Sequence, residues 1–408
     1  MTEILFLGGL FPKETEDEII SKSIGNLQNA ANNLQWELVK GLDENLSTSV
    51  TIVNSLFIGS FPKRYKSFKI RTYDFSFQLE HAKAINVGFT NLTGIKRFSR
   101  YYGVKTQLDK WIKEKKSSKK VVIAYAMTSI FTQLLEYAKK IDDKIITCLI
   151  VPDLPQYMNL SNKKNGLYNV LKNAEIGIIK KNMGFIDCYV VLTRHMVEYL
   201  DIAKPSVVIE GVASNKVCTP TVHYDHSKNS SKMILYTGGL NERYGVLELV
   251  KNFRMLENDN CVLVLCGFGD AENKIREISE VDKRVVYKGL LKREEILALQ
   301  KEATVLINPR PNNEEYTKFS FPSKIIEYMA SGRPVVAFML DGIPGEYREY
   351  FYEINPRKKN AIYETLKIIM ETDEKELTQK GKEARDFVLN QKNRQIQVDK
   401  ILSMISDL

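Results

Sequence analysis

The 408-residue chain has no apolar run of membrane-spanning length. Its longest runs, such as IITCLIV at 145–151, stop far short of the ~20 residues a helical crossing needs. The opening MTEILFLGG lacks the basic segment of a secretory leader. Both observations predict a soluble, cytoplasmic protein. Cysteine is scarce: Cys148, Cys188, Cys218, Cys261 and Cys266 are odd in number and include no C-x-x-C pair. Neither a disulfide framework nor a zinc site is indicated, and reduced, mostly buried thiols are expected. His223 and His226 lie in a polar stretch without the further ligands a metal would need, so no metal is expected. G-x-G-x-x-G and G-K-[ST] are both missing, which disfavours a nicotinamide or ATP fingerprint. No RNP-like or helix-turn-helix signature occurs and the basic residues are dispersed along the chain, so nucleic acid is not an expected partner.

What is present is globular: 44% apolar and 27% charged residues. The length calls for two cores. The net charge of +9 suits an anionic partner, whether nucleic acid, a lipid surface or a phosphate-bearing ligand, and does not choose among them.

Short apolar runs alternate with helical patterns in both halves. ILFLGG, SVTIVNS, VVIAYA, IITCLIVPD and CYVVLT are separated by helices predicted around 22–43, at 128–140 and after 153. KMILYTGG, CVLVLCGFG, RVVYKG, TVLINP and RPVVAF follow, with helices from about 245, at 271–280 and at 293–302. The alternation predicts parallel sheets with crossover helices, hence two doubly wound α/β domains joined near 205–231. Residues 357–408 read as two further helices, the first with a stripe of Ala361, Ile362, Leu366, Ile369 and Met370.

Strands end in glycine turns at Gly8–Gly9, at Gly238–Gly239, and at Gly267 and Gly269. Glycine there accepts positive φ and lets backbone amides approach an anion. Arg243 follows the second turn, just before a helix predicted from Tyr244, and suits a diphosphate. The segment KFSFPSKIIEYMASGRPVVAF, residues 318–338, puts Ser320 and Pro322 at a helix start, with Ser323, Lys324 and Glu327 in the first turns. A lysine there can neutralise phosphate, a carboxylate one turn deeper can accept the hydroxyls of a ribose, and a Lys324–Glu327 pair is the plain alternative. Gly332 and Pro334 end the helix.

FPSKIIEYMASGRPVVAF, with YTGGLNERYG, LVLCGFGD and VVYKGLLKREEILALQKEATVLINP in the same order, resembles the donor half of the family 4 retaining glycosyltransferases, especially bacterial capsule and exopolysaccharide enzymes. The match is good over about 232–350. The resemblance implies the GT-B fold: two doubly wound Rossmann-like domains facing a central cleft. It assigns 1–205 to an acceptor-binding domain and 206–385 to a nucleotide-sugar donor domain, with 386–408 as a C-terminal helix able to pack back on the first. It implies a nucleotide-sugar donor, expected to carry UDP, and transfer without metal or other cofactor to a glycan or polyprenyl-linked saccharide. Glu327 would bind the donor ribose; Arg243 and Lys324 would stabilise the diphosphate, and Gly8, Gly9, Gly238, Gly239, Gly267, Gly269, Ser320 and Ser323 would line the donor. Asp153, at the end of IITCLIVPD, would orient the acceptor or act as base, or else cap the next helix. The pattern departs from the family at Phe319, in place of a glutamate, at Tyr244, in place of a lysine, and at Gly239, in place of an arginine. Glu314 or Glu315 could reach the donor sugar instead.

Leu167, Val170, Leu171, Ala174 and Ile178 form a helical stripe flanked by Lys163, Lys164, Lys172, Lys180 and Lys181. It fits either a helix covering the sheet or peripheral contact with an anionic membrane. The rival functions are a sugar-phosphate epimerase of similar fold and a noncatalytic partner subunit of another transferase.

Overall fold

A computed structural model describes residues 2–25, 27–45, 47–76, 83–114, 119–157, 166–214 and 232–408. Cys218, His223, His226, Lys163 and Lys164 lie outside them, as does the side chain of Leu167. The chain forms two compact units, Met1–Val212 with Arg394–Leu408, and Ala213–Asn393.

The first unit runs β1 (Thr2–Gly8), α1 (Glu16–Lys22), α2 (Asn29–Glu44), β2 (Thr48–Asn54), β3 (Lys69–Ile70), β4 (Tyr73–Asp74), β5 (Lys83–Asn86), β6 (Phe89–Thr90), α3 (Lys96–Glu114), β7 (Lys120–Tyr125), α4 (Ser129–Ile141), β8 (Ile146–Val151), α5 (Gly166–Asn182), β9 (Cys188–Val191), α6 (Arg194–Tyr199) and β10 (Ser206–Val208). Its main sheet has the order β10-β9-β8-β7-β1-β2-β5-β4, and β3 pairs with β6 apart from it. All neighbours in the main sheet are parallel except β4 and β5. The central strands β1, β7, β8 and β9 are mostly apolar because both faces are covered; Ile4 to Leu7 are wholly buried.

The second unit runs β11 (Lys232–Thr237), α7 (Val246–Arg254), β12 (Cys261–Cys266), α8 (Glu272–Val281), β13 (Val285–Gly289), α9 (Arg293–Glu302), β14 (Val305–Asn308), α10 (Lys324–Ala330), β15 (Val335–Ala337), β16 (Tyr352–Glu353), α11 (Ala361–Glu371) and α12 (Glu374–Gln391). Its sheet, β13-β12-β11-β14-β15-β16, is parallel throughout. One core joins the sheet to α7, α8 and α11 through Leu249, Phe253, Ile275, Leu366 and Ile369. A second joins it to α9, α10 and α12 through Leu299, Ile325, Met329, Ala384 and Val388. The doubly wound α/β architecture expected for both halves is thus observed.

The last helix, α13 (Arg394–Ser406), belongs to the first unit. There Val398, Ile401 and Ile405 join Leu38, Val39 and Leu42 of α2 in one core, and Arg394 pairs with Glu37 at 2.8 Å.

Three expectations about helices are corrected. Residues 22–43 are not one helix, because Gly25 at φ +89 separates α1 from α2. The region 357–408 holds three helices rather than two, since the Lys392 carbonyl accepts from Ala213 N–H at 2.7 Å where α12 gives way to α13. The helix after Phe321 begins at Lys324, and neither Ser320 nor Ser323 caps it with its side chain.

Candidate functional site

In the second unit, strand order reverses between β11 and β14, and doubly wound sheets open their ligand crevice at such a reversal, beyond the strands' carboxyl ends. β11 leads into Gly238–Gly239 and β14 into Pro309–Arg310. The loops interlock: a Cβ on Gly245, whose φ is +77, would lie 2.2 Å from the Pro309 carbonyl oxygen. At Gly267, φ +139, a Cβ would fall 1.8 Å from the Gly238 oxygen. The Gly238 amide donates to Cys266 O at 2.9 Å and that of Gly267 to Gly289 O at 2.8 Å. Gly245 and Gly267 thus serve close backbone packing, and the amides of Gly238 and Gly267 are occupied.

Arg243 is exposed on a 3-10 turn, Glu242–Tyr244, and α7 starts only at Val246. Its guanidinium lies 5.5 Å from the centre of the Tyr244 ring. The Arg310 guanidinium approaches the same ring at 5.6 Å and Tyr316 at 4.8 Å. Two cations therefore gather on the tyrosine, within cation–π range. Arg310 also donates to Ser320 Oγ at 3.0 Å, and its Nε is buried without a partner among the described residues. Arg310 was not singled out from the sequence; the signal was an arginine two residues past the end of an apolar strand.

Glu327 sits in the first turn of α10. Its Oε1 accepts from Gln300 Nε2 at 2.7 Å and from Lys324 Nζ at 2.8 Å, and its Oε2 lies 3.7 Å from Arg293. Burial alone would raise its pKa; the positive charge and hydrogen bond of Lys324, the bond from Gln300 and the charge of Arg293 outweigh it and hold the carboxyl below its ordinary value. The Lys324–Glu327 pairing foreseen as the plain alternative is present. Gln300 is wholly buried, and its Oε1 has no partner among the described residues. Gly332, φ +81, closes the helix end, donating to Met329 O at 3.0 Å. Ser323, Glu314 and Glu315 are exposed, while Phe319 is buried.

In the first unit the order reverses between β1 and β7. Beyond β1, Gly9 N–H donates to the buried Gln35 at 2.8 Å, and a Cβ on Gly9 would strike the Phe57 ring at 2.1 Å. Gly8 closes β1 in register with Asn54. Asp153 follows β8; solvent reaches it, yet surrounding protein displaces enough water to raise its carboxyl to about 6. It caps no helix among the described residues. The hydroxyl of the buried Tyr125, at the end of β7, has no partner among the described residues. Burial, then the charge of Asp153, pushes its pKa up. A recess of about 560 Å³ opens beside these strand ends, lined by Met127, Gln156, Ile176, Lys180 and Tyr199 among others. On α5, Val170 and Leu171 are 65% and 63% exposed, so that part of the apolar stripe does not cover the sheet. No helix of the described residues is long and apolar enough to cross a membrane.

Residues 231–371 match the family Glycosyl transferases group 1. Solved structures similar over the whole chain include sucrose-phosphate synthase from Thermosynechococcus elongatus, 15% identical, TM-score 0.64, covering 100% of this chain and 99% of that one. Anabaena Alr3699/HepE in complex with UDP is 13% identical, TM-score 0.64, covering 100% of both chains. The lipopolysaccharide outer core galactosyltransferase WaaB, in its apo form, is 15% identical, TM-score 0.61, covering 100% of both. No curated protein matches by sequence. The chain has the GT-B fold, with two Rossmann-like domains, and the match to the group 1 glycosyl transferases falls on its second unit.

Proposed function

We propose that the protein is a retaining, metal-independent glycosyltransferase. It moves a sugar from a nucleotide-sugar, a UDP-sugar, to a glycan or polyprenyl-linked saccharide in the synthesis of surface polysaccharide such as capsule or exopolysaccharide. The observation that carries this reading is the grouping at the carboxyl edge of the second sheet. Glu327, kept ionised by Lys324 and Gln300, shares that edge with Arg243 and Arg310, which meet on Tyr244. All lie inside the segment matched by the family. The choice of uridine draws support from the Anabaena protein, solved with UDP.

Glu327 accepts the ribose hydroxyls of the donor. Arg243, Arg310 and Lys324 take up the negative charge of the departing diphosphate, the kind of stabilisation that supplies most of the rate in such reactions. The bond from the anomeric carbon to the diphosphate breaks as the acceptor oxygen bonds to that carbon on the same face, through an oxocarbenium-like state. Arg310 supplies a cation in a protein whose sequence has Tyr244 and Gly239 where the family pattern has lysine and arginine. The first unit holds the acceptor. Asp153 orients the acceptor hydroxyl or takes its proton, and the protein works at the cytoplasmic face of the cell membrane.

Calorimetry with UDP, GDP and ADP tests the donor site. UDP alone should bind, more weakly to Glu327→Ala, and UDP-sugar turnover should survive chelation of metals with the product keeping the donor's anomeric configuration. If no nucleotide binds the wild type, Phe319 and Tyr244 mark a noncatalytic partner subunit instead.

A further inference from the structure

The loop after β2 is held on both flanks. Phe61 N–H donates to Asn91 O at 2.9 Å, and Asn91 N–H to Phe68 O at 2.7 Å. On the other side Ile24 N–H donates to Arg64 O at 3.1 Å and Lys66 N–H to Lys22 O at 2.8 Å. A fixed surface results, and it exposes large apolar side chains: Phe68 is 56% exposed, Ile95 53%, Phe98 64% and Tyr102 64%. Ile95, Phe98 and Tyr102 recur at the spacing of one helix face. The residues with which α3 meets the core, Val104, Leu108 and Trp111, lie half a turn away.

Lys63, Arg64, Lys66, Lys69 and Arg71 are exposed on the same surface. Residues 55–73 and 87–102 together hold eight Lys and Arg and no Asp or Glu, against a net charge of +9 for the chain. Of 59 Lys and Arg, 51 remain elsewhere to face 50 Asp and Glu. Two of the eight turn inward, Lys96 to the Ile58 carbonyl and Arg100 to Ser55, so the positive charge that solvent meets beside the exposed aromatic and aliphatic side chains is chiefly that of the five loop cations. Large apolar side chains beside a cluster of exposed cations fit an anionic lipid surface, where insertion and charge attraction act together.

We propose that this face, the 59–71 loop with the first turns of α3, seats the first unit on an anionic bilayer. The loop leaves the carboxyl end of β2, which neighbours β1 and its Gly8–Gly9 turn. That is the sheet edge a lipid-borne acceptor would have to reach. The purpose of the contact rests on the proposed acceptor; its occurrence does not. The stripe on α5 is the weaker surface, because among its described residues only Val170 and Leu171 are large, apolar and exposed, against Phe68, Ile95, Phe98 and Tyr102 here.

Flotation of the full chain with vesicles decides the matter. The wild type should float with vesicles containing phosphatidylglycerol, not with phosphatidylcholine alone, and high salt should release it. Phe98→Ser with Tyr102→Ser should cut flotation by about tenfold, as loss of inserted side chains would; Lys69→Glu with Arg71→Glu should do the same. Val170→Ser with Leu171→Ser should leave it intact. A wild type that never floats, or one released only by the Val170/Leu171 changes, overturns the proposal. So does a wild-type dimer in sedimentation that Phe98→Ser with Tyr102→Ser turns monomeric, which would make this face an interface between copies. UDP calorimetry on the same variants keeps the two readings apart: unchanged UDP binding with lost flotation supports the lipid face. Flotation without any UDP binding counts against the donor site alone.

Discussion

The hydroxyl of Tyr328 holds the main chain of Thr237 from both sides, accepting from its N–H at 2.8 Å and donating to its carbonyl at 3.0 Å. The two residues stand on α10 and at the end of β11, so this clasp fixes the helix against the strand just before the Gly238 turn. Glu327, one residue earlier, inherits its position from it. Burial raises the Tyr328 pKa, although the bonds to Thr237 oppose the shift, so the phenol stays neutral and able to donate.

Tyr328→Phe therefore leaves a buried amide without its acceptor. A loss of about 1–3 kcal/mol in stability is expected, read as an earlier midpoint in urea unfolding. UDP affinity should fall as well, because the strand end and the helix no longer share one register.

Glu327→Gln separates binding from folding. The substitution keeps the shape and removes the charge, so UDP affinity should fall about ten- to hundredfold, the worth of charge-assisted hydrogen bonds, while the unfolding midpoint in urea at neutral pH falls by less, through loss of the ion pair with Lys324. The carboxyl pKa is lowered in the folded protein. Its contribution to stability is therefore present above the ordinary carboxyl range and lost as the pH falls below it. The Gln variant should lack that acid-side loss, which melting curves against pH will show.

Arg310→Ala tests whether a cation from the β14 loop serves the diphosphate. A drop of about tenfold or more in turnover is expected, with a smaller change in uridine binding, since uridine lacks the phosphates the guanidinium would meet. Arg310→Lys should recover only part, because a lysine cannot reproduce the forked contacts of a guanidinium. Equal losses in UDP and uridine affinity would assign Arg310 to holding Ser320 and the loop.

Much of this was legible in sequence for one reason: strands buried on both faces are written as continuous apolar runs. ILFLGG and CVLVLC could hardly be anything else. By contrast α3 was unread, since among nineteen residues only Val104, Leu108 and Trp111 are buried while Phe98 and Tyr102 face solvent. At the site, Glu327 and Lys324 were legible from their place before a glycine-stopped helix. Gln300 and Arg310 were not, because Gln300 reaches Glu327 from α9, in the preceding crossover, and Arg310 reaches Tyr244 in the connection after β11, pairings set by the tertiary fold. Ser320 was read as a cap when it instead accepts from Arg310, a long-range bond that no local spacing encodes.

Asp153 offers the clearest use of pH. Although solvent reaches it, surrounding protein displaces enough water to raise its carboxyl from 3.8 to about 6, so at neutral pH it is ionised at a cost. A carboxyl with a raised folded pKa destabilises the fold progressively as pH climbs from the unfolded value to the folded one. Asp153→Asn should consequently melt at a higher temperature than the wild type above pH 6, and the gap should close in acid. If Asp153 takes the acceptor proton, wild-type kcat/KM should rise through about pH 6 as the carboxylate forms, and the Asn variant should be slow at every pH without that limb. The two readouts divide the possibilities. A stability gap with the acid limb still present in Asp153→Asn would mean that the surrounding protein has tuned the group while another residue, or the departing phosphate itself, accepts the proton.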